Sequence, residues 1–352
     1  MSIATLPGIT ARRITSARIS TRVLFSGPGS ASPVIFVHGN LTSATFWEET
    51  MLAMPAGYRC VALDQRGFGE SDPAAALDGS RGLADMSDDV LALMDTLDIY
   101  KAHVVGHSMG GGVTWRLMMD APERLLSATL VAPVSPFGFG GTKDAEGNLC
   151  APDAAGSGGG VANPQYTQLL KDGERGDGEM TPRAVMNSFY WKPPYTSDRE
   201  EDLLTSVLQT HTGERDYPGD FVASESWPGI APGRWGVLNG MAPNNQPDIG
   251  KLYAINPKPP VLWLRGDSDQ VIADESFFDL ATFGKLGVIP GWPGEDVCPP
   301  QPMIQQIQHV LDNYAAAGGS VQEVVIEDCG HTPFLEKAAD FNRALHVFLD
   351  AR

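Results

Sequence analysis

Apolar and polar residues follow two alternating patterns along this chain. Buried strands of a parallel sheet are predicted where short apolar runs occur, at residues 33–37, 59–63, 102–105, 127–131 and 260–265, and a further strand is predicted at 321–326. A half-buried strand is predicted at 17–25, where polar and apolar residues alternate. Apolar residues recur at helical spacing at 45–54, 85–98, 113–119, 303–317 and 338–349. This alternation predicts an α/β fold with a mostly parallel, doubly wound sheet.

The alternation stops over residues 134–257. This segment is rich in glycine, proline and aromatic residues, and helix-like runs occur at 164–171, 182–190 and 199–210. A structureless loop of this length is rare in a compact domain. We therefore predict a largely helical cap segment at 134–257, inserted into an α/β core formed by residues 1–133 and 258–352. A second irregular insert is predicted at 284–302.

Composition narrows the function classes. The 352 residues are 42% hydrophobic and 19% charged, which is typical of a globular protein, and the net charge is −18. The acidity argues against nucleic acid and anionic membrane surfaces as partners. We found neither a membrane-spanning apolar run nor a secretory signal, so we expect a cytoplasmic location and a small-molecule partner. The oligomeric state is left open.

Four scattered cysteines, with no C-x-x-C pair, favour free thiols. Cys150 and Cys298 both lie in glycine- and proline-rich loops. Whether they pair is left open, because sequence spacing does not place their Cα atoms.

The most informative motif is Gly106-His107-Ser108-Met109-Gly110, a G-x-S-x-G sequence. It stands between a predicted strand and a predicted helix, which is the setting of a nucleophile elbow. Glycines suit such a turn because strand and helix approach closely around the serine. A serine nucleophile needs a neighbouring base and an acid that orients this base.

Later motifs supply both groups, and together they resemble the α/β-hydrolase fold superfamily. The resemblance covers about residues 20–133 and 257–352, and we identify no subfamily. It is carried by His38-Gly39, Asp64-x-Arg66-Gly67-x-Gly69-x-Ser71, the serine motif, Gly266-x-x-Asp269 and Gly330-His331-x-Pro333. The resemblance implies Ser108 as nucleophile, Asp269 as acid and His331 as base, in the chain order of that family. Asp267 is the alternative acid.

The resemblance also implies an oxyanion hole of two backbone N–H groups, those of Asn40 and Met109, with Leu41 as an alternative to Asn40. It implies a turn at Asp64 and Arg66 that is structural. It requires no cofactor, and no cluster in the sequence has the spacing of metal ligands. Candidate substrate-pocket residues are Leu41, Trp47, Trp191, Trp227, Trp235 and Phe334.

Three functions remain open. The first is hydrolysis of a carboxylic ester or lactone of an apolar small molecule through an acyl-enzyme, as in carboxylesterases and lactonases. The second is hydrolysis of a carbon–carbon bond in a β-diketone-like substrate by the same triad. The third belongs to another class, a non-catalytic ligand-binding protein on this fold.

Overall fold

The computed structural model describes residues 3–351 and places one eight-stranded sheet at the centre of the molecule. Its strands, labelled β1 to β8, are Thr10–Thr15, Ser20–Ser26, Ser32–Val37, Tyr58–Leu63, Ala102–His107, Leu125–Val131, Val261–Gly266 and Val321–Ile326. Their spatial order is β1-β2-β4-β3-β5-β6-β7-β8. The pairs β1–β2 and β2–β4 are antiparallel, and all the others are parallel. The predicted α/β class and mostly parallel sheet are confirmed.

Helices lie on both faces of the sheet. Helices α1 to α3 are Glu48–Ala53, Ala84–Thr96 and Met109–Asp120, and α8 to α12 are Gly250–Ala254, Leu280–Lys285, Met303–Ala316, Pro333–Glu336 and Ala338–Asp350. Helices α1, α11 and α12 contact one another, whereas α3 contacts α2 and α8, and α8 contacts α10. This division into two groups is the doubly wound arrangement, in which helices cover both faces of the central strands, while the edge strands β1 and β8 are more exposed.

Strand β1 was not predicted from the sequence. Its residues Thr10–Thr15 are mostly exposed and include two arginines, so no buried apolar stripe marks them. The predicted helix at 45–54 is divided into a 3₁₀ turn at Ala44–Trp47 and the short α1.

Three helices of the cap segment stand where the sequence predicted them. They are α4 (Pro164–Lys171), α5 (Pro182–Phe189) and α6 (Glu200–Leu208), and α7 (Val237–Gly240) follows. Two of them begin at capping side chains: Asn163 accepts from the first turn of α4, and Thr181 accepts from Ala184 in α5. Proline at the first position of both helices removes an N–H that would have no partner there. Much of the remaining segment consists of turns and short two-stranded pairs.

Asn239 organises the irregular part of the cap segment. Its fully buried amide accepts from the backbone N–H groups of Gly159 at 3.0 Å and Gly233 at 3.1 Å. It donates to the carbonyls of Asp220 at 2.8 Å and Trp235 at 2.6 Å. One side chain thereby satisfies four backbone groups of loops that have no sheet or helix to pair with.

Contacts from the cap segment reach one core loop and two short core helices, α1 and α11. They join Ser206 to Ser43 (2.6 Å), Tyr195 to the Leu335 carbonyl (3.0 Å) and Arg199 to Glu48 (2.9 Å). Over residues 3–351, no helix has the length and apolarity required to cross a bilayer. The four cysteines are free, including Cys150 and Cys298.

Candidate active site

Ser108 stands at the sharp turn between β5 and α3. Its backbone has a φ of 55° and a ψ of −117°, which is strained for a residue with a Cβ atom. The neighbouring glycines allow the turn to close: a Cβ on Gly106 would lie 2.2 Å from the Gly110 carbonyl oxygen, and one on Gly110 would lie 2.3 Å from that of Val37. The strain therefore holds Ser108 in a fixed place at the carboxyl end of β5.

Asp269 and His331 meet in the structure although 62 residues separate them. Asp269 follows β7 and His331 follows β8, and parallel pairing of these strands brings both loops to one edge of the sheet. The His331 Nδ1 atom lies 2.8 Å from Asp269 Oδ2, and both side chains are about 95% buried. Because Nδ1 faces the carboxylate, Nε2 remains as the ring atom that can accept a proton.

The two candidate acids have different surroundings. The other oxygen of Asp269, Oδ1, accepts from the backbone N–H groups of Val271 at 2.7 Å and Ile272 at 3.0 Å, so the carboxylate cannot swing away. Asp267 is exposed and accepts from the Ser268 hydroxyl, and this hydrogen bond holds its pKa below the ordinary value. Of the two, only Asp269 contacts the histidine.

His107, inside the elbow, links Ser108 to the loop of His331. Its Nε2 lies 2.9 Å from the His331 carbonyl oxygen, so Nε2 carries the hydrogen and donates it. The two imidazole rings are 4.6 Å apart. Burial, reinforced by His331, lowers the pKa of His107 well below its ordinary value. The neutral ring therefore positions the His331 loop, a role that the sequence did not reveal, since this motif position carries no fixed residue type.

The loop after β3 packs closely against the turn that carries Ser108. A Cβ on Gly39 would lie 2.9 Å from His107 Nδ1 and 3.0 Å from the Ser108 Cβ, so the backbone before Asn40 is in contact with the serine. Met109 is the first residue of α3, and the first N–H groups of a helix have no partner inside it. The two predicted oxyanion donors thus belong to segments that flank Ser108.

His38 and its neighbours form a scaffold under this loop. The Gln65 backbone N–H donates to His38 Nε2 at 2.9 Å, so Nδ1 carries the hydrogen and donates to the Gly39 carbonyl at 2.8 Å. Burial lowers the pKa of His38 to about 4. Arg66 forms two 2.8 Å hydrogen bonds with Asp89, which indicates a structural role for this turn, as the sequence suggested.

The candidate pocket aromatics divide into two groups. The first group lies beside the candidate triad. Trp47 stacks on Phe334 with the ring centroids 4.1 Å apart, and both buried rings contact the His107 ring. The Trp191 backbone packs against Gly330, next to His331. Trp227 and Trp235 have other neighbours. The Trp227 indole donates to the Pro290 carbonyl, and the Trp235 ring lies between the guanidinium groups of Arg215 and Arg234, 4.4 and 4.7 Å away.

The residues that could react are covered. Ser108 retains 9% of its surface exposure and His331 retains 4%. A surface groove of about 740 Å³ lies elsewhere, between β8 and α12, and none of the predicted site residues lines it. Within residues 3–351, His, Cys, Asp and Glu side chains form no group of three or more that could hold a metal ion.

Comparison with known proteins gives a consistent family. The sequence model of a family described as the alpha/beta hydrolase fold matches residues 32–281. A dihydrolipoyllysine-residue acetyltransferase component of an acetoin cleaving system from Cupriavidus necator is 45% identical over 112 residues, which are 32% of this chain and 28% of that protein. An uncharacterized carboxylesterase of Bacillus subtilis is 34% identical over 117 residues, 33% of this chain and 38% of that protein. The chain thus spans about a third of the length of these relatives.

Among solved structures, the chain is similar to 2-hydroxy-6-oxo-6-phenylhexa-2,4-dienoate hydrolase from a Rhodococcus species. The TM-score is 0.59 and the identity 19%, over 96% of this chain and 97% of that one. At this identity the likeness concerns the fold. The proteins named here have different activities, so the substrate must be argued from the site.

Proposed function

This chain belongs to the α/β-hydrolase fold family, and from that premise we propose that it is a serine hydrolase acting on a carboxylic ester or lactone of an apolar small molecule. One observation carries the proposal: the buried 2.8 Å contact of His331 Nδ1 with Asp269, on a loop that His107 holds beside Ser108. A serine hydroxyl is a weak nucleophile unless a base with a fixed orientation removes its proton.

In the proposed reaction, Ser108 Oγ attacks the carbonyl carbon and its proton passes to His331 Nε2. The negative oxygen of the tetrahedral intermediate accepts hydrogen bonds from the Asn40 and Met109 backbone N–H groups, each worth about 10²–10³ in turnover. The alcohol leaves with the proton from His331, and an acyl-enzyme remains. Water, deprotonated by His331, then attacks the acyl carbon; the bond between this carbon and Ser108 Oγ breaks, His331 returns the proton to Oγ, and the acid leaves. Asp269 stabilises the imidazolium that forms twice in each cycle.

The cap segment would choose the substrate. It reaches the loop after β3 through Ser206 and the segment after His331 through Tyr195, so it lies over the edge of the sheet where the candidate triad stands. Its aromatic content favours an apolar acyl or alcohol group over a strongly charged one.

The test is hydrolysis of p-nitrophenyl esters of increasing chain length, with Ser108→Ala as control. The wild type should release p-nitrophenol and should be labelled by a fluorophosphonate at Ser108, which mass spectrometry locates. The variant should do neither. A wild type without turnover or label would refute a serine hydrolase and leave the ligand-binding function.

Carbon–carbon bond hydrolysis is separated by adding a 2-hydroxy-6-oxodienoate to the substrate panel. Such a compound contains no ester or amide bond, so its hydrolysis must break a bond between carbons. Turnover of the dienoate by an enzyme inactive on every ester would replace the proposed reaction by this alternative.

A further inference from the structure

Tyr190, the residue that follows α5 in the cap segment, forms hydrogen bonds with two loops of the candidate site, the one after β3 and the one that carries His331. Its hydroxyl donates to the Leu41 carbonyl at 3.2 Å. Its own carbonyl accepts from the Thr332 hydroxyl at 2.7 Å. Leu41 follows the proposed oxyanion donor Asn40, and Thr332 follows His331.

The backbone at Leu41 needs an external restraint. Its φ of 53° lies in the left-handed region, which residues with a branched side chain seldom adopt without support from their surroundings. The φ and ψ angles of Leu41 orient the Leu41–Thr42 peptide group, whose carbonyl Tyr190 binds, relative to the Asn40–Leu41 peptide group, whose N–H is the alternative oxyanion donor. The Tyr190 hydroxyl binds the carbonyl of this strained residue, and the Tyr190 ring packs 6.1 Å from Phe46, in the turn after the loop.

Tyr190 is suited to act as a permanent donor. Its side chain is 7% exposed, and burial raises the pKa of its phenol above the ordinary value. The hydroxyl therefore keeps its hydrogen over the whole pH range in which an esterase is assayed. The backbone of Tyr190 is itself fixed, since its N–H donates to the Met186 carbonyl at the end of α5.

We propose that Tyr190 is a positioning residue for the oxyanion hole: by holding the Leu41 carbonyl, the cap segment aims the N–H groups of the loop at the developing negative charge. This inference rests on the proposed function. The cap segment would then help to orient the oxyanion hole in addition to covering the site. The hydroxyl acts through the loop and does not touch the substrate.

Tyr190→Phe removes one hydroxyl and keeps the ring. We expect kcat on a p-nitrophenyl ester to fall about five- to tenfold, the effect of one hydrogen bond, with KM nearly unchanged. The inhibition constant of an arylboronic acid, whose serine adduct is tetrahedral, should rise by the same factor. That of the product carboxylic acid should not change. The midpoint of the pH profile should stay in place, because His331 and Asp269 are untouched.

The matched control is Tyr195→Phe. Tyr195 also donates from the cap segment to a core carbonyl, that of Leu335 at 3.0 Å, but not to the loop of Leu41. This variant should keep kcat within about twofold of wild type. Melting temperatures of the two variants should be similar.

Three results would overturn the inference. One is wild-type kcat in Tyr190→Phe, and another is an equal loss of affinity for the boronic acid and for the product acid. The third is an equal loss of kcat in both tyrosine variants, which would indicate general anchoring of the cap segment. Failure of the proposed function gives a different result, a wild type with neither turnover nor a fluorophosphonate label, and this refutes both proposals.

Discussion

The core and the cap segment satisfy their own backbone hydrogen-bonding groups in different ways. In the core, backbone groups pair in ladders and helices, and the ends of parallel strands place Ser108, Asp269 and His331 at one edge of the sheet. In the cap segment, single buried side chains satisfy loop backbone, as Asn239 does for four groups. The core can therefore absorb many substitutions without moving its strand ends, whereas the cap segment depends on a few individual residues.

The largest effect on activity is expected from a substitution in the core. It tests whether Asp269 or Asp267 is the acid that orients His331. Asp269→Asn should lower kcat by about 10⁴, because an amide favours the wrong histidine tautomer. Asp267→Asn is the matched control and should keep kcat within about tenfold, since its carboxylate accepts from the Ser268 hydroxyl and the Cys329 backbone N–H and not from the His331 ring. Steady-state kinetics on a p-nitrophenyl ester measure both. A larger loss in the Asp267 variant would reverse the assignment.

The second prediction tests the dependence of the cap segment on one residue. Asn239→Ala leaves the buried N–H of Gly159 and the partly buried N–H of Gly233 without an acceptor, at about 1–2 kcal/mol each, so the cap segment should lose about 3 kcal/mol of stability. Limited proteolysis should then cut within residues 134–257 before the core is digested. Asn245→Ala, which removes one partly exposed hydrogen bond to the Asn239 carbonyl, should cost under about 1 kcal/mol. Equal resistance of both variants would contradict this account.

Acid should weaken the core through its buried neutral histidines. Burial lowers the pKa of His103 from 6.5 to about 4, so below pH 6.5 the unfolded chain binds a proton that the folded core does not. The contribution of neutral His103 to the free energy of unfolding is therefore fully present above pH 6.5. It is lost as the pH falls toward 4, and the loss reaches about 3 kcal/mol. Denaturant unfolding at several pH values should show a weaker pH dependence in His103→Gln. An unchanged dependence would exclude His103 as a cause.

The smallest effect on activity is expected at Trp235 in the cap segment. Trp235 was predicted as a pocket residue, but in the structure its ring lies between two arginines. Trp235→Ala should therefore change kcat/KM for p-nitrophenyl esters by less than about twofold, since the indole contacts Arg215 and Arg234, which belong to neither the candidate triad nor its loops. A tenfold rise in KM would instead indicate that Trp235 contacts the substrate.

The sequence predicted the core better than the cap segment for a physical reason. Strands that are buried on both faces leave apolar runs, and the family motifs stand where these runs end, so the positions of Ser108, Asp269 and His331 could be predicted. The contact of His107 with the His331 carbonyl and that of Tyr190 with Leu41 join residues 224 and 149 positions apart. Such bonds leave no periodic pattern. Tyr190 could be noticed only as one member of an aromatic-rich stretch.

The low exposure of Ser108 has a kinetic consequence. Because Ser108 keeps only 9% of its surface exposure, we expect a bulky ester to reach it after the covering residues move. If this movement is slower than acyl transfer, the rate of opening limits turnover. Esters with good and poor leaving groups would then share one kcat, and added viscogen would lower it. The timing of each cycle would be set by the covering segment, while the choice of bond to break stays with the triad.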